Sequence, residues 1–160
     1  METVYDKDLK SIQEARTLAE RSYRAQQKFL HFNQQQVDEI CETMVEAGYR
    51  ESEHLGRMAA EDTGYGNSMH KMLKNQLNTT KLWERIKDLK TVGIIREDKK
   101  MGIQEVAWPM GVVAALTPVT NPTSTAFSNI INAVKTRNGI VIAPHPFAVK
   151  CTCETVDVLT

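Results

Sequence analysis

Paired cysteines are missing from this chain of 160 residues: Cys41, Cys151 and Cys153 make an odd count with no disulfide framework, which fits a reducing compartment. Long apolar runs are missing too. Nothing approaches the ~18 to 20 residues a membrane span needs, and the opening METVYDKDLKSIQEAR has no apolar signal-peptide core. The cytoplasm is the expected location, with no membrane partner. An excess of charge is the third absence. Twenty basic and twenty acidic side chains cancel, and the basic ones are scattered rather than gathered on one helix. That balance disfavours a nucleic-acid partner.

Several candidate sites dissolve on their spacing. His31, His54, His70 and His145 have no i, i+4 partner, so no metal site is expected. Gly64-Tyr65-Gly66 follows a helical stretch rather than a strand and lacks a third glycine, so it reads as a helix stop rather than a phosphate loop. Cys151 and Cys153 are separated by one residue, which is neither the redox nor the zinc spacing. They are expected to be structural, with Cys153 the more buried. Trp83 and Trp108 are expected to be packing residues.

What is present is an ordinary globular composition, 41% hydrophobic and 25% charged, enough for one domain with a core. From Lys7 to about Trp83 helix follows helix. Leu9, Ile12, Ala15, Leu18 and Ala19 define a first apolar stripe. Asn33 with Gln36 forms a capping-box pattern, followed by Val37, Ile40, Cys41, Met44 and Val45 on one face and Gly48 as the stop. Ser52 caps a third helix carrying Leu55, Met58 and Ala59, and Met69, Met72, Leu73, Leu77 and Thr80 trace a fourth.

The pattern changes after Lys90. Two β-branched segments, TVGIIRE and GIQEVAWP, flank the charged turn from Asp98 to Met101 and predict a β-hairpin. GVVAAL, Gly111 to Leu116, has no alternation and suits a strand buried on both faces. A helix from about Pro122 to Thr136, with Phe127, Ile130, Ile131 and Val134 inward, leads to a second buried strand, GIVIA. Strand, helix, strand over about thirty residues is a βαβ unit and starts a parallel sheet. Lys135 and Arg137, at the end of that helix before Asn138-Gly139, read as solvated capping charges. The last segment predicts a helix with Val149, Cys153, Val156 and Leu159 near one stripe. One βαβ unit cannot close a sheet core alone, so the chain is expected to be the front part of a larger protein.

Between the first buried strand and its helix stands TPVTNPTSTAF, Thr117 to Phe127. One reading is capping: Asn121 as N-cap, Pro122 as first helical residue, and hydroxyls serving free amides. The other is functional, because the carboxyl end of a parallel strand beside a helix N-terminus is where open α/β sheets place ligands. An Asn amide there can donate to a developing oxyanion. The two readings coexist only if the Asn121 side chain turns from the helix.

Taken together, KTVGIIRED, GIQEVAWPMGVVAALTPVTNPTSTAF and AVKTRNGIVIAPHP, with AEDTGYGN and KNQ more loosely, resemble the CoA-acylating branch of the aldehyde dehydrogenase superfamily. The match runs from about Ala25 to about Lys150. The branch includes acetaldehyde and propionaldehyde dehydrogenases and the aldehyde-oxidising half of bifunctional aldehyde-alcohol dehydrogenases. The resemblance implies an α/β, aldehyde dehydrogenase-like fold: N-terminal helices, a β-hairpin arm and the first βαβ of a Rossmann-like parallel sheet, truncated. Residues 1–90 would be the helical part of the cofactor domain, 91–110 the hairpin of an oligomerisation arm, and 111–160 the incomplete start of the NAD-binding domain.

The implied chemistry is attack of a cysteine thiolate on an aldehyde, hydride transfer to NAD, and release of the acyl group to coenzyme A. An Asn amide holds the oxyanion of the tetrahedral stages. Hydrolytic relatives place that Asn two residues after the strand-ending Pro, which here is Thr120; the acylating branch shifts it by one, to Asn121, with Thr120 as the alternative. Thr117, Pro118, Ala143, Pro144 and His145 fall along the adenosine side of the NAD site. The ribose-contacting Lys of hydrolytic relatives falls at Ala143, so NAD is expected and NADP stays open. Cys41, Cys151 and Cys153 match no catalytic position; the nucleophile is expected downstream, leaving these 160 residues inactive alone. A homo-oligomer is expected for the full-length protein, and a microcompartment shell is a compatible partner. The alternative function is a non-catalytic module that associates with full-length subunits.

Overall fold

Asn33 accepts a hydrogen bond from the Gln36 backbone N–H at 3.0 Å, and the Gln36 side chain accepts the Asn33 N–H at 3.0 Å. This reciprocal cap satisfies two donors that a helix start otherwise leaves free. It opens helix α2 (Gln34–Arg50) in the computed structural model, which describes residues 6–160. Around α2 lie α1 (Lys7–Phe29), α3 (Ser52–Thr63), α4 (Ser68–Gln76), a π-helical turn (Leu77–Lys81) and α5 (Leu82–Ile86). No helix among the described residues is long and apolar enough to cross a membrane.

The hairpin forms as expected, β1 (Gly93–Asp98) pairing antiparallel with β2 (Ile103–Ala107) and slipping register after Ile94. Asp98 builds its turn by accepting the N–H groups of Lys100 and Met101, each at 3.0 Å. The βαβ unit forms too: β3 (Val112–Thr117), α6 (Pro122–Lys135) and β4 (Gly139–Pro144), with β3 and β4 parallel from Val112↔Gly139 to Thr117↔Pro144. A 3-10 turn (Pro146–Ala148) leads into α7 (Val149–Val158). Leu55, Ala126, Phe127, Ile130 and Leu159 form the main core, so the inward faces expected of α3 and α6 are the buried ones.

Several local expectations are overturned. Leu9, Ile12 and Leu18 are exposed, because α1 is held at its other end, where Ser22 and Gln26 meet β4 and the turn before it. Ser52 does not cap α3: it is buried as the first helical residue, and its carbonyl accepts from Asn75. Gly48 does not stop α2. The helix runs on to Arg50, and a Cβ at position 48 would stand 2.7 Å from Phe127 Cε1, so close packing is what requires glycine there. β3 is not covered on both faces, since Leu116 is 82% exposed. Trp108 is 76% exposed and packs nothing into the core. On α7 the buried residues are Cys151, Thr152 and Thr155, while Val149 and Cys153 face out, because Asp62 of α3 receives the Cys151 N–H at 3.0 Å and sets the rotation.

The largest correction concerns the end of α6. Lys135 and Arg137 are buried rather than solvated. Lys135 Nζ donates to Asp38 Oδ1 at 2.6 Å and to the Lys87 carbonyl at 2.8 Å, and lies 5.3 Å from the centre of the Trp83 ring. A charge can be buried when a counter-charge, a carbonyl and an aromatic face replace water, and all three are present. Arg137, not Gly139, takes the left-handed conformation (φ 55°), and its guanidinium donates to the Leu30 carbonyl at 2.6 Å.

The asymmetry of this ion pair makes a prediction. Lys135 is 2% exposed at its side chain and Asp38 30%. Asp38→Ala strands a buried cation and should cost ~3–5 kcal/mol. Lys135→Met strands a carboxylate that water still reaches and should cost less. Urea unfolding curves check the order, and a reversed order would contradict it.

Candidate active site

The turn from Thr117 to Asn121 leaves the carboxyl end of β3, and β4 ends beside it in register, Thr117 opposite Pro144. The His145 N–H donates to the Thr117 carbonyl at 3.2 Å, which carries the pairing one residue further. Thr117, Pro118, Ala143, Pro144 and His145, widely separated in sequence, therefore meet at one strand end. Pro118 and Ala143 are exposed, Pro144 and His145 half-buried. His145 Nδ1 accepts the Phe147 N–H at 3.2 Å, so the neutral ring keeps its proton on Nε2. Thr117 Oγ1 is buried without a partner among the described residues.

Asn121 starts α6 with its backbone only: its carbonyl accepts the Thr125 N–H at 3.1 Å, and Pro122 follows at the first helical position. Its side chain caps no backbone amide. Instead Oδ1 accepts the Thr120 hydroxyl at 2.7 Å, and Nδ2 donates to Thr125 Oγ1 at 3.0 Å. A carboxamide nitrogen has two N–H groups. The second has no acceptor among the described residues. The capping expectation thus holds for the Asn121 carbonyl and Pro122 but not for the hydroxyls: Thr123 donates to Asn75 Oδ1 and Ser124 to the Asn121 carbonyl.

Two buried residues near this turn escaped the sequence reading. Lys71 Nζ donates to the Thr120 carbonyl at 3.0 Å, and Asn75 accepts from Thr123 at 2.8 Å. Both sit on α4, where sequence reading sought an apolar face. The i, i+4, i+8 series Lys71, Asn75, Thr79 was the available signal.

Cys41 and Cys151 are buried, and burial pushes each thiol up to about 12. The expectation that Cys153 is the more buried is wrong, since it is exposed. An apolar cleft of about 490 Å³ between α2 and α7, lined by Ile40, Met44 and Leu159 among others, contains none of the expected site residues.

No protein-family model matches the chain. The succinate-semialdehyde dehydrogenase (acetylating) of Clostridium kluyveri is 40% identical over 142 residues, which is 89% of this chain and 31% of that protein. The acetylating aldehyde dehydrogenase of Geobacillus thermoglucosidasius superposes with a TM-score of 0.94 at 44% identity, over 98% of this chain and 34% of that one. A probable aldehyde dehydrogenase of Listeria monocytogenes EGD-e superposes at 0.95, also 44% identical, over 97% and 34%. The chain is homologous to a portion of CoA-acylating aldehyde dehydrogenases. It spans about a third of the length of each of these three relatives. The expected α/β aldehyde dehydrogenase fold, with helices preceding a Rossmann-like βαβ unit, is borne out.

The burial of the thiols is testable by alkylation. Native chain treated with iodoacetamide near neutral pH should be modified at Cys153 alone, and in denaturant at all three cysteines. With pKa values raised to about 12, Cys41 and Cys151 should stay unreactive even at mildly alkaline pH, where an exposed thiol ionises. Peptide mass mapping that finds either of them labelled in the native chain would contradict this.

Proposed function

We propose that this chain supplies the oxyanion-holding edge and the adenosine-side strand ends of an NAD-dependent, CoA-acylating aldehyde dehydrogenase. The observation that carries the proposal is the Asn121 side chain: two hydroxyls hold it, it caps no amide, and one N–H remains free at the carboxyl end of β3. A donor already held in place needs no reorganisation when negative charge develops on a carbonyl oxygen. Asn121 is the donor in this reading, with Thr120 as the alternative.

Oxidation of an aldehyde through a thiohemiacetal and a thioester needs a thiolate, and Cys41 and Cys151 are protonated and enclosed. The nucleophile in this reading is none of the three cysteines here. A structural relative from Rhodopseudomonas palustris, 28% identical with a TM-score of 0.72, is described with bound CoA and an acylated cysteine, which supports the thioester route.

The strand ends suit an adenosine better than a phosphate. Leu116, Ala143 and Phe147 are exposed there, and no charged side chain occurs from Gly139 to Val149. Thr117, Pro118, Ala143, Pro144 and His145 would hold the adenosine part of NAD, whose nicotinamide end would supply the hydride acceptor. NADP remains the alternative, since an engineered glycolyl-CoA reductase of similar fold, 28% identical, carries NADP+. The aldehyde itself is left open: relatives act on succinate semialdehyde and sulfoacetaldehyde. A cytoplasmic enzyme fits this reading, as does one housed like the propionaldehyde dehydrogenase of a Clostridium phytofermentans microcompartment.

The hairpin favours a second reading, association with full-length subunits. Ile94 and Val106 are cross-strand partners on it and both are exposed, with Ile95 and Ile103 exposed as well, and exposed apolar surface of this kind can mark a contact surface. Co-elution with a full-length acylating aldehyde dehydrogenase on size exclusion would support it, and separate elution would count against it.

The main proposal predicts that the 160-residue chain makes no NADH from short aldehydes and coenzyme A. Turnover by the chain alone would overturn the assignment of the nucleophile elsewhere. In a subunit joining this segment to the nucleophile, Asn121→Ala should lower kcat ~100- to 1000-fold. Unchanged turnover would move the role to Thr120 or beyond.

A further inference from the structure

α4 buries the face opposite to the one its hydrophobicity suggests. Met69 and Leu73 are exposed, while Lys71 is 4% exposed and Asn75 is fully buried. The two are one turn apart and rise from the same face of the helix. Both reach one short segment. Lys71 Nζ donates to the Thr120 carbonyl at 3.0 Å, and Asn75 Oδ1 accepts the Thr123 hydroxyl at 2.8 Å. One attachment lies just before Asn121 and the other two residues after it.

Burying a lysine and an asparagine is expensive unless their bonds do something. Burial lowers the Lys71 pKa, and no carboxylate among the described residues forms an ion pair with it. Charge pairing therefore does not account for its position, whereas the carbonyl bond does. We infer that Lys71 and Asn75 are positioning residues, a clamp that fixes the Thr120–Thr123 turn and so aims the Asn121 side chain; this rests on the reading of Asn121 as oxyanion donor.

The geometry of the chain makes the clamp effective. The Thr120 oxygen belongs to the planar peptide unit that enters Asn121, so holding that oxygen sets the plane. Pro122 has its φ fixed by its ring. With Thr123 anchored as well, little backbone freedom remains at Asn121, and the Thr120 and Thr125 hydroxyls then orient its carboxamide. α4 is itself fixed to α3. Asn75 Nδ2 donates to the Ser52 carbonyl at 3.0 Å, and Gly56 lets the helices approach so closely that a Cβ there would stand 2.6 Å from the Met72 nitrogen.

The test uses Lys71→Met, which keeps the stem and removes the donor, and Thr123→Val, which removes only the hydroxyl bound to Asn75. In the 15N-labelled chain, each variant should move the backbone and side-chain amide signals of Asn121 and speed their hydrogen exchange, leaving the hairpin signals of Ile94 and Val106 in place. If Lys71→Met fails to fold, Thr123→Val carries the same test. In a subunit that includes the nucleophile, Lys71→Met should lower kcat roughly 10- to 100-fold with little change in KM, as expected when a reacting group is misplaced rather than lost. Unmoved Asn121 signals in the folded variants, while Asn121→Ala still lowers kcat, would overturn the clamp alone. Unchanged kcat in Asn121→Ala would overturn the oxyanion reading, and with it the catalytic purpose of the clamp, even if the signals move.

Discussion

The Lys135 ammonium is the point to which the separate parts of this chain are tied. It lies at the end of α6 and joins Asp38 on α2, the carbonyl of Lys87 after α5, and the face of Trp83. Its own carbonyl receives the hydroxyl of Thr91, where the chain leaves the helices for the hairpin. Gln34, at the start of α2, accepts the N–H groups of Thr91 and Val92 at the same junction. A buried charge tolerates few geometries, because each missing partner leaves part of it desolvated without compensation. The helical layer, the hairpin root and the βαβ unit are thereby held to one arrangement.

A second polar network extends that order to the strand ends. Ser52, Asn75 and Thr123 form a bonded series from α3 through α4 to α6, and Lys71 joins the turn beside it. Apolar packing is weakly directional, whereas hydrogen bonds fix distance and angle. The core of Phe127, Leu55 and Ile130 holds α6 against the helices. The polar contacts decide where the first turn of α6 stands, and with it Asn121.

Much of the architecture was legible in the amino-acid order. The capping box at Asn33, the core face of α2, the stop at Gly64, the hairpin and the βαβ unit all follow from local rules of spacing and caps. Ordered motifs from Lys90 to Pro146 pointed to the acylating aldehyde dehydrogenases, whose fold the structure has. What misled was the assumption that apolar stripes mark buried faces and charged residues mark solvent. Leu9, Ile12, Met69 and Leu73 are outside, while Lys71, Lys135 and Arg137 are inside.

The sequence by itself determined most of the elements and their order, because helix caps, turns and hydrophobic period act over a few residues; the family showed only through a resemblance of ordered motifs. Only the tertiary structure decided how the candidate site is held. Lys71 meets Thr120 across 49 positions, Asn75 meets Thr123 across 48, and Lys135 meets Asp38 across 97. No local pattern records which buried polar group will find its partner that far away. The partner is supplied by the packing of whole helices, and so is the direction in which Asn121 points.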